Sequence, residues 1–418
     1  MKIAIIGAGV AGALLARRLA ALPGVELVCL EKVAADDHSE AGTGLNVGPN
    51  AIKALRIADP ELARDVEAAS LPWGRWTTSL ADGTVLFDLP IENVADNPGI
   101  RIRWSELYRV LRQAAGPAIR YRCTVTALGA DPSDPARSFV EWTEGGSSNR
   151  WDGIDLMIGA DGRYSAVRQA FSGLPESKHV GVAIVRALVE DTSGGLIDDY
   201  GQWFNGCHRM LAFRVKPNHV YIAATFPIEA GAPVKPEWNS KAVMRQTWLP
   251  PGGRPLSAQM QWLLDSLCGE LADGHWARMQ ESEVRFTEPD TGVLYLGDSA
   301  HGMAPTLGQG ATQAMEDACV AALIMERELQ AGRSDVRALL TAIESARAGR
   351  IAFAMALSIA ATDTLLEGAD PVAGAKWKTE APFLADLSRL FRDVAIGSAA
   401  PSSCVNGRTS GAPNGGTQ

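Results

Sequence analysis

The first thirty-one residues restrict the fold more than any other stretch. Lys2 to Ile6 reads as a short strand rich in isoleucine. It runs into Gly7-Ala8-Gly9-Val10-Ala11-Gly12, then an alanine- and leucine-rich helix to about Leu22. A second strand, 25–30, ends at Glu31, nineteen residues after Gly12, and Lys32 follows. The order strand, GxGxxG, helix, strand, acid is the frame of a dinucleotide cradle. Gly7 permits the tight turn, Gly9 admits a pyrophosphate against the backbone, and Gly12 lets helix and sheet approach. Amides of the first helical turn, around Ala11, face the phosphates, and Glu31 accepts from ribose hydroxyls. The cradle alone leaves NAD and FAD both open.

Composition removes several alternatives. The 418 residues carry 39 basic and 48 acidic side chains, a formal charge of −9, which disfavours a general nucleic-acid surface. Hydrophobic residues make up 46 % and charged ones 21 %, enough apolar material for a buried core and against disorder of the whole chain. The six cysteines form no CxxC pair, so neither a zinc site nor a disulfide scaffold is expected. Gly7 and Gly9 break the only apolar run near the start, and no window reaches the roughly 18 apolar residues of a membrane span. A cytoplasmic protein without metal, membrane or nucleic-acid partner is the expectation.

Two later motifs bear on the cofactor. Asp155 to Arg168 contains a buried strand ending in Gly159-Ala160-Asp161-Gly162. Gly292 to Ala318 contains a strand ending at Gly297-Asp298, then His301, Pro305, the Gly308-Gln309-Gly310-Ala311-Thr312 helix entry and Glu316-Asp317-Ala318. With Gly42-Thr43-Gly44-Leu45-Asn46 and Pro49-Asn50-Ala51, these segments make the chain resemble the single-component FAD monooxygenases of the para-hydroxybenzoate hydroxylase type over about residues 1–365. Looser likeness in the segments around Asn46 and 104–111 points to the hydroxypyridine and hydroxynicotinate hydroxylases.

The resemblance implies an α/β fold. A Rossmann-type FAD-binding domain (1–71, 101–171, 286–365) is interleaved with a mostly antiparallel sheet domain for the substrate (72–100, 172–285). A C-terminal helical segment (366–398) and a disordered tail (399–418) complete the chain. It also implies FAD as cofactor, NADH or NADPH as transient co-substrate, O2, a small aromatic substrate and a homodimer. The implied reaction is hydroxylation of an N-heteroaromatic acid through a flavin C4a-hydroperoxide; ring opening is the alternative. Asp298 would hold the ribityl chain and Asp161 the pyrophosphate region. Gly308, Gly310, Ala311 and Thr312 would aim amides at the flavin's pyrimidine edge, where reduction places negative charge. Pro305 would border the ring. His301 reads either as a site residue or as a brace for its loop.

One departure concerns the flavin-side arginine of many relatives, in R-x-x-L-x-x-x-L. Registered on Leu107 and Leu111, that position holds Trp104, with Arg103 one residue early; both stay open. Asn46, two residues after Gly44, should lie near flavin and substrate. An activated ring needs a base, a proton path or a cation for its phenolate. On the strands expected at 180–189, 200–204, 209–215 and 219–226 the candidates are His208, Arg209, Arg214, His219 and Tyr221, with His208 and Tyr221 favoured. Trp203 and Phe213 offer either ring contacts or core. Helices are expected at 316–330, 336–366 and 381–395. Two other readings are a flavin halogenase, whose WxWxIP is not matched by Trp73-Gly74-Arg75-Trp76, and a flavin-binding protein or oxidase without hydroxylation.

Overall fold

A run of consecutive apolar strand residues must be covered on both faces, and Ile3 to Ile6 of the strand Lys2–Ile6 is. Ile3 and Ile5 point into one core with Leu14 and Leu15 of the helix Val10–Leu19 and Met315 of the helix Gln309–Gln330. Ala4 and Ile6 point the other way, into a core with Val140, Trp142 and Tyr295. The computed structural model, which describes residues 1–37, 43–272, 274–394 and 396, builds a six-stranded sheet around this strand. Glu26–Leu30 pairs with it in parallel on one side and Leu156–Gly159 on the other. The chain thus turns opposite ways from one strand, and a crevice opens at the carboxyl ends, where Gly7, Glu31 and Ala160 follow. The antiparallel sheet of Cys123–Asp131, Asp134–Glu144 and Ser147–Ile154 covers the second face.

The other large layer has seven strands. Five come from the middle of the chain, Ser177–Glu190, Tyr200–Asn205, His208–Val215, His219–Pro227 and His275–Ser282; two, Arg75–Leu80 and Val85–Pro90, come from earlier. All neighbours are antiparallel except Tyr200–Asn205 with Arg75–Leu80. Alternation gives this sheet two faces. Met210, Ala212, Ile222 and Ala224 pack under the helices Lys241–Thr247 and Ala258–Glu270. Leu211, Phe213, Tyr221 and Ala223 face the nucleotide-side layer and the C-terminal helices. A small sheet, Gly44–Val47, Gly99–Arg103 and Leu71–Trp73, joins the layers. Its Gly44 lies so close to Tyr221 that a Cβ would stand 2.5 Å from the tyrosine Cβ.

The C-terminal elements depart from the expected boundaries. Helix runs from Val336 to Ala360, then tightens to a 3-10 turn, Ala361–Leu365. Pro371–Lys378 and Ala381–Arg392 follow, the latter packing Phe383, Leu387 and Phe391 beneath the seven-stranded sheet. Among the described residues no helix is long and apolar enough to cross a membrane. Gly42 and the expected tail 399–418 lie outside the described residues.

Candidate functional site

The crevice continues into two clefts that meet at Arg163, which lines both. The first, about 480 Å³, lies over the glycine turn. Its floor is Gly7, Gly9 and Glu31, and Asp161 and Gly162 form the far wall. Gly7 has φ +92° and a Cβ there would meet Ala160 O at 2.6 Å, while one at Gly12 would meet Gly7 O at 1.9 Å. Only glycine allows turn, strand and helix to interlock this tightly. Gly9 differs: a Cβ would have only Ala160 O, 3.9 Å away, as a neighbour. The space beside it is therefore open to a ligand. Ala11 sends its methyl into the core.

Glu31 is buried at the end of its strand. Its carboxylate accepts from Ala8 N–H at 2.7 Å and Val33 N–H at 3.1 Å. Arg112 stands 3.5 Å away, donates to Ala8 O at 3.0 Å and lies over the Tyr108 ring. The guanidinium holds both the acid and the glycine turn. It sits on the helix Trp104–Ala115, where the sequence offered only an arginine among several. Lys32 is exposed at the rim. Asp161 turns its carboxylate onto the helix Ala166–Phe171, accepting from Ser165 Oγ at 2.5 Å and Ala166 N–H at 2.7 Å. Burial raises its pKa.

The second cleft, about 380 Å³, lies between the seven-stranded sheet and the entry of the helix Gln309–Gln330. Asn46, Asp298, Pro305, Gly308, Gly310 and Ala311 line its nucleotide side. Gly308 adopts φ +64°, turning the chain so that the first amides of the following helix are directed at the cleft. A Cβ on Gly308 would lie 2.7 Å from Asn46 Nδ2, whereas Gly310 has only Asp298 Oδ1, at 4.0 Å. Thr312 is buried behind the cleft, where its hydroxyl donates to Gly308 O and accepts from Gly48 N–H. The carboxylate of Asp298 makes no hydrogen bond to another described residue, so its acceptors remain for a ligand.

A buried polar cluster holds this entry in place. Arg347, Glu316 and Asp317 are all 0 % exposed. Arg347 donates to Asp317 at 2.7 Å, Glu316 at 2.9 Å and Gln313 at 2.6 Å. The second oxygen of Asp317 accepts from Gly297 N–H at 2.9 Å and bonds His301 Nε2 at 2.6 Å. Burial by itself would raise the Asp317 pKa, but the His301 ring and the Arg347 guanidinium outweigh it and bring it to about 2. His301 is therefore a brace for the loop carrying Asp298, away from the cleft.

The sheet side of the cleft is basic. Arg186, Arg209 and Arg278 line it, Arg163 adds a fourth cation from the nucleotide-side turn, and Asp298 is the single acid among the described lining residues. Arg209 is 4 % exposed, its Nε has no hydrogen-bond partner, and no carboxylate of a described residue lies within ion-pair distance. Burial pushes its pKa down, yet a guanidinium stays charged, and an unpaired buried charge is costly until an anion arrives. Tyr221 lies in the same cleft, its phenol pushed up to about 12 by burial.

Four expected residues, His208, Arg103, Trp203 and Arg214, lie elsewhere. His208 belongs to the face of Met210 and Ala212, packs against Phe226 and Trp248, and bonds Asn205 O. Strand parity gives the cleft position to its neighbour Arg209. Arg103 opens onto a separate groove with Arg17, Glu61 and Lys216, while Trp104, the first residue of its helix, lines the second cleft. Trp203 also faces the helices, and Phe213 stacks on Tyr200. Arg214 is ion-paired near Asp191 and Asp198, outside the cleft.

No family model matches the chain. Curated relatives do. The 3-amino-4-hydroxybenzoate 2-monooxygenase of Streptomyces platensis is 27 % identical over 340 residues, 77 % of this chain and 78 % of that protein. The 6-hydroxynicotinate 3-monooxygenase of Pseudomonas fluorescens is 25 % identical over 334 residues, covering 77 % and 81 %. The FAD-dependent urate hydroxylase of Mycolicibacterium vanbaalenii is 27 % identical over 362 residues, covering 84 % and 85 %. Among solved structures, Klebsiella pneumoniae HpxO complexed with FAD and uric acid superposes with a TM-score of 0.75 at 21 % identity, over 94 % of this chain and 96 % of that one. The fold is that of this FAD-bound protein, in agreement with the interleaved α/β architecture expected from the motifs.

Proposed function

We infer that this chain is a single-component FAD-dependent monooxygenase of the para-hydroxybenzoate hydroxylase type. Its reaction is hydroxylation of a small, electron-rich aromatic acid with NAD(P)H and O2, an N-heteroaromatic acid of the hydroxynicotinate kind being the preferred substrate. The cavities suit the cofactor: the open space at Gly9 and Gly310, the acid Glu31 at one end and the helix entry at the other match a long dinucleotide with an anionic, flat end. Bound FAD would supply the redox chemistry, accepting a hydride from the nicotinamide and activating O2 for transfer of one oxygen atom to a ring carbon.

The chain's own residues bind, orient and shield. Glu31, held by Ala8 N–H and Arg112, accepts from the ribose. Amides at Gly310 and Ala311 stabilise negative charge on the cofactor's ring, which the basic cleft also favours. Arg209 takes the anionic group of the substrate. Tyr221, a protonated phenol at neutral pH, donates a hydrogen bond to a ring oxygen and fixes the ring against Leu211 and Ala223. Asn46, Pro305 and Trp104 close the opposite side against water.

The observation that carries this reading is the buried, acid-free guanidinium of Arg209 beside Tyr221, facing the helix entry across one cleft. The test is anaerobic rapid mixing with NADH, following loss of flavin absorbance with and without a panel of hydroxylated pyridine and benzene carboxylates. At least one acid should accelerate reduction, and Arg209→Met should raise its half-saturating concentration about tenfold or more, the worth of a hydrogen bond to a charged group. No acceleration by any acid would count against hydroxylation.

A further inference from the structure

Behind Arg209 lies a second, smaller chamber that the reaction described above does not use. It sits between the seven-stranded sheet and the C-terminal helices, walled by Trp76, Phe87 and Ala375, with Gln202, Arg209 and Lys378 as its strongest polar groups. Arg209 lines both this chamber and the second cleft, so its guanidinium forms part of the partition. The chamber offers about 20 Å³, and a water needs roughly 10–15 Å³, so one small polar group fits and a second ring does not.

Its charge is unbalanced. Lys378, at the end of the helix Pro371–Lys378, is 7 % exposed. Its ammonium donates to Asp363 at 2.7 Å and to Thr364 Oγ1 at 3.2 Å. The side chain of Asp363 is 40 % exposed and also accepts from Trp377 Nε1, so this acid is shared between water, indole and amine. Gln202 is buried, with its amide on the Tyr200 hydroxyl at 3.0 Å. Two buried cations thus border the chamber, one without any acid and one whose acid faces outward.

We propose that this chamber seats a carboxylate, presented by the aromatic substrate past Arg209, with Lys378 as its second cationic contact. The inference rests on the hydroxylase reading for the source of the carboxylate, and it makes the C-terminal helices part of substrate recognition. The preferred substrates are then ring carboxylates rather than neutral phenols, with the acid group pointing away from the second cleft, toward Lys378.

Formate, a carboxylate small enough for the chamber, is the probe. Isothermal titration of the FAD-loaded full chain with formate should show saturable binding. Lys378→Met should weaken it about tenfold or more, and Asp363→Asn, which frees the amine from its acid, should tighten it. The opposite signs separate recognition from a general loosening of the fold, which would weaken both. 6-Hydroxynicotinate should displace formate, and 2-hydroxypyridine, without the carboxylate, should not. No saturable formate binding, or equal binding by wild type and both variants, overturns the chamber. An aromatic acid that binds without displacing formate overturns the substrate as the source. Formate binding that depends on Lys378, with no aromatic acid bound at all, upholds the chamber and refutes the hydroxylase reading instead.

Discussion

Replacing Arg347 by Met removes the centre of the buried cluster that holds the cofactor-side loop. Four hydrogen bonds of 2.7, 2.9, 2.6 and 3.5 Å disappear, two of them to carboxylates that are 0 % exposed. Breaking a buried ion pair by deleting one partner costs about 3–5 kcal/mol. The lower part of that range applies, because Glu316 keeps Arg350 at 3.0 Å and Asp317 keeps Gly297 N–H and His301. A loss of about 3 kcal/mol is a large fraction of a typical stability of about 5–15 kcal/mol. Urea unfolding at neutral pH, followed by tryptophan fluorescence, measures it. The pH dependence has a definite sign. The Asp317 pKa is depressed to about 2, so its contribution is complete above the ordinary carboxylate range and is lost as pH falls through about 2. Without Arg347 the folded pKa rises, so the variant loses this contribution at higher pH than wild type. The gap between the two proteins should narrow as pH falls from about 4 toward 2. Because the cluster fixes Gly297 and His301 on either side of Asp298, the variant should also release FAD more readily. A destabilisation below about 1 kcal/mol, with FAD retained as in wild type, would mean that the cluster does not hold the loop.

Other substitutions separate the roles of neighbouring residues. Gly9→Ala should fold normally but lose FAD affinity by about tenfold or more, read by equilibrium dialysis, since its methyl enters the open cradle. Gly12→Ala should instead lower thermal stability, because its methyl would meet Gly7 O at 1.9 Å. His208→Gln should leave kcat and KM within about twofold, as expected for a side chain outside the cleft; a much larger loss would return His208 to the chemistry. Tyr221→Phe should raise KM by the worth of one hydrogen bond, about 1 kcal/mol, without removing any limb of the pH–rate profile below about pH 10, since burial holds the phenol near 12. A limb near neutrality that vanishes in this variant would contradict the assignment.

What the sequence made legible follows from where its constraints are local. The cradle is a run of contiguous residues whose spacing has a steric meaning, so Gly7, Gly12 and Glu31 could be read directly. The alternating strands of the middle region were visible in the same way, because period-two patterning survives without knowledge of partners. The three-stranded cover at 123–154 was not, since register shifts at Ser138/Val140 and Glu141/Trp142 break the alternation. His208 and Arg209 differ by one position, and nothing in the sequence says where the strand starts to count its faces. The tight turn at Gly206 and Cys207 sets that parity, and it delivers an arginine rather than a histidine to the cleft. Glu316 and Asp317 stood out as a motif, but their cation lies thirty residues on in another helix. Arg112 and Lys378 gave no signal at all: a basic residue on a helix is ordinary until tertiary packing buries it.

In the proposed reaction, oxygen passes from O2 to an aromatic acid held at Arg209. The direct measurement is turnover of the FAD-loaded enzyme with NADH, the accelerating acid and 18O2, with mass analysis of the aromatic product. One labelled oxygen atom per product molecule, with product formed in step with NADH consumed, is the predicted result. NADH oxidation that yields only hydrogen peroxide, with the acid recovered unchanged, would contradict it.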